Sequence, residues 1–280
     1  MELNSIKHKF RSIFNENQFI YGGTGLGTRL VYEFGLKLNL HVVHADLVLT
    51  EKGQEILRTI YQSSIVAIRK QSQAPILLTA LVYRADVDRC NLANLDCVDI
   101  NKVNCKFMRS IVSSDDNTYF SGTIGPRGDG YLPNPNITVP EAMSYHETQA
   151  VAMLEADVLM AGLMNTKAEA YGLAKLFSQV DKPYIVMFYT REDAILPDGT
   201  PIEKIIHYLD DILELPPLAY GFHCMHPAIY QQAIRALILR DKSCLKRIHS
   251  LRANASPLSP EELSCLDHVE SDSPDTFGKA

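Results

Sequence analysis

Ala219-Tyr220-Gly221-Phe222-His223-Cys224-Met225-His226-Pro227 is an apolar run that closes on a cysteine set between two histidines and stops at a proline. A short apolar run bounded this way reads as a buried strand, and Pro227 opens the following helix at a position where a missing N–H does no harm. Thiol and imidazole are groups that zinc prefers, and a bound metal lowers the pKa of any thiol that joins it. Strand alternation sets His223 and Met225 on one face and Cys224 on the other, so the three potential donors cannot all reach one ion without distorting the backbone. From these residues alone, metal binding and buried packing both stand open.

Working outward, six more runs have the same character: Gln18 to Gly22, Pro75 to Tyr83, Tyr119 to Ile124, Ala156 to Leu163, Pro183 to Tyr189 and Ile248 to Ala253. With Leu218 to Cys224 they make seven strand candidates. Segments of helical period lie between them: Lys52 to Lys70, Pro140 to Leu154, Lys167 to Val180, Pro201 to Leu213 and Ala228 to Leu239. Glu141 suits the positive end of a helix dipole, and Asp198-Gly199 forms a turn before Pro201. Alternating βα units either close into a barrel or stay open as a doubly wound sheet, and periodicity does not separate the two. In both, chemistry collects at the C-terminal ends of the strands.

The chain has 280 residues, 46% of them hydrophobic, enough for one sizeable core. A single domain over residues 1–280 is expected, with a polar tail over 271–280 that frays. The formal net charge is -6, and no stretch gathers lysine and arginine into a basic stripe, so nucleic acid is not an expected partner. No window approaches the ~18 apolar residues needed to cross a bilayer, and residues 1–14 lack the apolar stretch of a signal peptide. No membrane role is expected, and the location expected is cytoplasmic. In that reducing compartment the six scattered cysteines stay as thiols, each by default a small buried apolar residue.

Two further strand ends carry glycine. Tyr21-Gly22-Gly23-Thr24-Gly25-Leu26-Gly27-Thr28-Arg29-Leu30 follows the first strand. Its glycines let a backbone turn with φ > 0 and let a ligand approach closely, but their spacing fails the dinucleotide fingerprint. A tight turn and a barrel-mouth substrate loop remain. Ser121-Gly122-Thr123-Ile124-Gly125-Pro126-Arg127-Gly128-Asp129-Gly130-Tyr131 ends the third strand and exposes backbone N–H groups beside one Arg and one Asp. Such a loop either holds a carboxylate or pairs its own charges.

These runs, together with Tyr145-His146-Glu147-Thr148-Gln149, Glu169-Ala170, Leu196-Pro197-Asp198-Gly199-Thr200 and Leu251-Arg252-Ala253-Asn254-Ala255-Ser256, stand in an order that resembles the homocysteine S-methyltransferase family across nearly the whole chain. Cys224-Met225-His226-Pro227 is similar to a bacterial branch whose sixth strand ends Asn-Cys-Ala-His-Pro. The resemblance implies a (β/α)8 TIM-type barrel in which zinc, held by three cysteine thiolates, takes up the thiol of homocysteine. That thiolate attacks the methyl group of a sulfonium or folate donor and yields methionine. Cys224 matches the first zinc ligand, with His226 as a further candidate. Gly22, Gly23, Thr24, Gly125, Asn165 and Thr166 fall where the substrate is expected to bind.

The departures are specific. Tyr21 stands where the family places an Asp, Asn165-Thr166 where many members carry Glu-Thr, and His223 where the branch has Asn. The sequence ends at Ala280, before the family's last strand and its Gly-Gly-Cys-Cys turn. The expectation is therefore a barrel gapped at its eighth strand, with unpaired edges that invite a homodimer. Loss of two of three zinc cysteines leaves zinc binding and turnover in question. A degenerate, metal-free barrel acting as a binding protein is the alternative to the methyltransferase.

Overall fold

In the computed structural model, residues 10–23, 25–180 and 182–279 are described. All seven expected strands form: β1 Tyr21–Gly22, β2 Ile76–Thr79, β3 Thr118–Ile124, β4 Val158–Met164, β5 Tyr184–Phe188, β6 Ala219–Met225 and β7 Ile248–Ala253. They make one sheet whose order is the order of the chain, with β1 and β7 as its edges. A doubly wound sheet reverses its strand order at a switch point, whereas sequential parallel strands are the order of a barrel. The topology thus settles what periodicity left open. β3 and β4 are buried along their whole lengths, as strands of a parallel sheet covered on both faces are.

Apart from a single turn at Leu26–Thr28, the α-helices that follow β1 are α1 Glu51–Arg69, α2 Val87–Leu92, α3 Cys97–Val112, α4 Val139–Ala152, α5 Lys167–Gln179, α6 Ile202–Ile212, α7 Pro227–Asp241, α8 Pro260–Ser264 and α9 Pro274–Lys279. Five match the expected segments to within two residues at each end. α4 begins on a reciprocal cap: Glu141 Oε2 accepts from the Thr138 N–H at 2.8 Å, and the Glu141 N–H donates to Thr138 Oγ1 at 3.4 Å. Among the described residues, no helix is long and apolar enough to cross a membrane.

α2 and α3 were not anticipated. Asp86 and Asp96 cap them by accepting from the Arg89 and Asp99 N–H groups. The apolar stripe of α3 is diluted by Asn101 and Asn104, both fully buried. Their carboxamides do structural work instead: Asn104 Nδ2 donates to Ala45 O at 2.9 Å and Asn101 Nδ2 to Ala85 O at 2.8 Å.

Contact density divides the chain into two compact units. The first gathers the described residues up to Ile124 with Ser144–Met160 and Gln179–Tyr184. There β1, β2 and β3 pair in parallel, and Ile76 to Thr79 face Thr118 to Ser121 without interruption. Arg69, at the end of α1, grips both Asp115 oxygens at 2.7 and 2.8 Å and also donates to Ala74 O and Asn117 O, fixing the approach to β3. The second unit comprises Gly125–Met143, Ala161–Ser178 and Ile185 onward. β5, β6 and β7 pair in parallel within it. Arg247 plays the corresponding part there, gripping Asp210 and donating to Pro217 O.

Candidate functional site

β6 does not run evenly against β7. The register shifts between Tyr220 and Gly221 and again between His223 and Met225. Cys224 is the residue left over at the second shift, with φ of 55°. A non-glycine residue held in the left-handed region costs roughly 1–2 kcal/mol and persists only where its surroundings fix it. The even alternation expected of residues 223–225 therefore does not hold at Cys224: the sulfur is aimed by a bulge rather than by the pleat.

The half-buried Cys224 thiol receives a hydrogen bond from the Tyr131 hydroxyl, O···S 3.7 Å. Burial raises its pKa, while the Tyr131 donor and the positive Arg252 act in the opposite direction. His223, next in the strand, has its Nδ1 buried without a partner. Burial and then the Arg252 charge pull that imidazole down to about 3, so it is neutral at physiological pH. The Tyr131 ring meets Tyr189 edge-on at 4.9 Å. Burial, above all, pushes the Tyr189 phenol up to about 12.

Tyr131 is positioned by the loop after β3. Asp129 Oδ1 accepts from the N–H groups of Tyr131 and Leu132 at 2.8 and 3.0 Å. Asn165, 1% exposed at the end of β4, donates through Nδ2 to Asp129 O and Leu132 O at 3.2 and 3.3 Å, straddling Tyr131. Its Oδ1 is buried and without a partner. Thr166 is also buried, and its hydroxyl caps α5 by accepting from the Glu169 N–H. Gly125 is buried, whereas Gly128, with φ of 84°, is the glycine the turn requires. The loop does hold a carboxylate, one of the protein's own: the Arg127 N–H donates to the buried Glu169 Oε1 at 2.6 Å.

His226 is 3% exposed and caps α7, its Nδ1 accepting from the Ala228 N–H at 3.2 Å. Its Nε2 lies 3.1 Å from Asp272 Oδ2, outside hydrogen-bond geometry. The remaining predicted positions belong to the first unit. Gly22 ends β1, and neither Gly22 nor Gly23 has a positive φ. A Cβ on Gly23 would make only ordinary contact with the Leu78 and Thr79 backbone at 3.7 Å, and one on Gly22 would meet nothing within 4 Å. Conformational freedom is therefore not what these two glycines supply. Thr24 lies outside the described residues.

Tyr131, Tyr189 and Arg252 were not singled out by sequence reasoning. Tyr131 and Arg252 lie in runs quoted for their neighbours, but nothing in the spacing shows that a residue 93 positions upstream reaches Cys224.

The sequential order of the parallel strands defines the class of fold, a TIM-type barrel. The homocysteine S-methyltransferase family matches residues 24–276, and the chain belongs to that family. Among solved structures, the metallated form of the homocysteine methyltransferase MmuM from Escherichia coli is similar, with a TM-score of 0.68 at 18% identity over 81% of this chain and 82% of that one. Its oxidized form gives 0.68 at 18% identity over 81% of each chain. The apo form gives 0.61 at 17% identity over 81% of this chain and 80% of that one. These likenesses show the fold, a TIM-type barrel with seven strands among the described residues. No curated protein matches the chain in sequence.

A catalytic zinc site normally uses three protein ligands. Among the described residues, no group of three or more His, Cys, Asp or Glu side chains is arranged to hold an ion. At Cys224 the second donor is a tyrosine hydroxyl, and His226 Nδ1 is already engaged as a helix cap. The described residues do not fit a three-ligand zinc site.

Proposed function

We propose that this protein transfers a methyl group from a sulfonium or folate donor to the thiol of homocysteine, giving methionine. Family membership supports the reaction class, and one observation carries the assignment of the site: Cys224 is held in a strained bulge at the end of β6, with a hydroxyl aimed at its sulfur. Backbone strain of this kind persists where function or packing over-determines it. In this reading Cys224 stands at the position of the family's first zinc ligand, and the described residues do not complete a three-ligand site around it.

In this reading, Asn165 has two parts to play. Its Nδ2 fixes the turn that carries Tyr131, and its unpartnered Oδ1 accepts from the ammonium group of the amino-acid substrate. Burying an acceptor without a partner costs about 1–3 kcal/mol, which a bound N–H donor removes. Thr166 and Gly125 shape the same loops. The reaction would serve methionine biosynthesis, and the unbridged cysteines suit a cytoplasmic location.

The test uses purified full-length protein with homocysteine and either an S-methyl sulfonium or a methylated folate carrying an isotopic methyl label, each with and without added zinc. Labelled methionine above a Cys224→Ser blank supports the reading. Folded protein that makes none in any arm overturns it.

A further inference from the structure

We propose that Arg252 forms a carboxylate-binding subsite beside Cys224, and that it receives the carboxylate of the amino-acid substrate. The observation that carries this is the register of β6 on β7. Phe222 pairs with Leu251, His223 with Arg252 and Met225 with Ala253. Cys224 is therefore the extra residue of the bulge, and it stands with His223 opposite Arg252. Neighbouring strands lie about 4.8 Å apart, well within the reach of an arginine side chain. Arg252 is half-buried, one residue from the end of β7, so its charge belongs to the same strand ends as the sulfur.

The electrostatics agree with the register. After burial, which acts most strongly, the Arg252 charge lowers the pKa of His223; after burial and the Tyr131 hydroxyl, it lowers that of Cys224. A cation opposite the bulge is thus felt by both residues that face it.

Arginine stays charged at any physiological pH, and its planar fork takes both oxygens of a carboxylate at once. An amino-acid thiol brings three polar groups to a site. The thiol belongs at the end of β6, and the ammonium is assigned to Asn165 Oδ1, whose Nδ2 fixes the turn that carries Tyr131 to Cys224. Arg252 takes the third group. The consequence is selectivity for thiols that carry a carboxylate. This inference rests on the methyltransferase reading for the identity of the substrate, whereas the cation opposite Cys224 stands without it.

The first test needs no turnover. Iodoacetate and iodoacetamide attack the same Cys224 thiolate, so the ratio of their rates cancels the thiol's pKa and leaves the effect of the reagent's carboxylate. Followed by peptide mass, Cys224 of the native full-length protein should favour iodoacetate by roughly tenfold relative to Cys224 of the urea-unfolded chain, the Coulomb effect of a nearby cation. Arg252→Met should remove that preference. The second test is calorimetric titration with homocysteine and with 3-aminopropane-1-thiol, which is homocysteine without its carboxylate. Homocysteine should bind more tightly by roughly tenfold or more, as expected of hydrogen bonds to a charged group. The advantage should vanish in Arg252→Met and survive in part in Arg252→Lys. An iodoacetate preference no greater than in the unfolded chain overturns the inference, as does an advantage of homocysteine that persists undiminished in Arg252→Met. A native preference for iodoacetate in a protein that binds neither thiol supports the subsite and counts against the methyltransferase reading instead. The wild-type alkylation ratio decides even if neither variant folds.

Discussion

The β2–β3 and β6–β7 pairs are built from similar apolar residues and behave differently. The first keeps an unbroken register over four pairs, while the second slips twice within six residues and leaves Cys224 unpaired and left-handed. Polar side chains beside the regular pair fasten the backbone: Gln149 donates to Val82 O, Asn101 to Ala85 O and Tyr61 to Thr79 O. Buried atoms without partners occur in both regions, His223 Nδ1 and Asn165 Oδ1 in the irregular one and Gln149 Oε1 and His44 Nδ1 in the regular one. Groups without protein partners in a buried setting are sites where a ligand gains most. What sets the irregular pair apart is its backbone, two register slips and a cysteine held left-handed at the second of them.

The largest expected effect tests whether the irregularity is built in. A Cβ on Gly221, at the first register slip, would fall inside the Ser250 carbonyl and 2.7 Å from Ser250 Cβ. The obstacle is mostly backbone, so Gly221→Ala should destabilise the protein by about 3 kcal/mol, the upper range for overpacking. Urea unfolding that shows a loss under about 1 kcal/mol would mean the two strands are free to separate. At the second slip, Cys224→Gly should be more stable than Cys224→Ala by roughly 1–2 kcal/mol, because only glycine adopts φ of 55° without cost. Equal stability of the two variants would remove the argument from strain.

The regular region has a pH signature of its own. His44 is buried beside Tyr83, and burial, outweighing a backbone hydrogen bond to Leu81, draws its pKa from 6.5 down to about 4. Below pH 6.5 the unfolded chain binds a proton that the folded chain does not. Stability should therefore fall as pH drops from 6.5 towards 4, by at most ~1.4 kcal/mol per pH unit from this residue. Comparing wild type with His44→Gln by denaturant titration at pH 7 and pH 5 measures the contribution. A slope unchanged in the variant would show that His44 is solvated.

The strands and five of the helices were legible because burial on both faces writes continuous apolar runs and burial on one face writes a helical period. α3 was not, because Asn101 and Asn104 occupy core-facing positions where the period predicts apolar residues. At the site, Cys224 and the loop after β3 were visible as motifs. Their meeting was not: the Tyr131–Cys224 contact spans 93 residues, and the bulge that aims the sulfur arises from the fit of two strands rather than from either alone. The φ of Gly22 and Gly23 was not legible for a related reason, since composition shows that glycine is present but not which φ it adopts.

The smallest effect bears on that long-range contact. Tyr131→Phe keeps the ring against Tyr189 and removes only the hydroxyl aimed at Cys224. A long O–H···S bond at a half-buried thiol contributes at most about 1 kcal/mol, so unfolding should scarcely change. What should change is the thiol. The Tyr131 donor works against the rise that burial imposes on Cys224, so removing it should move the pH midpoint for alkylation of Cys224 upward and slow the reaction at neutral pH. Iodoacetamide labelling in the presence of a chelator, followed at Cys224 by peptide mass, reads this directly. If the midpoint stays fixed while Asn165→Ala shifts it, the turn over residues 129–132 acts on the sulfur through packing, and the hydroxyl is incidental.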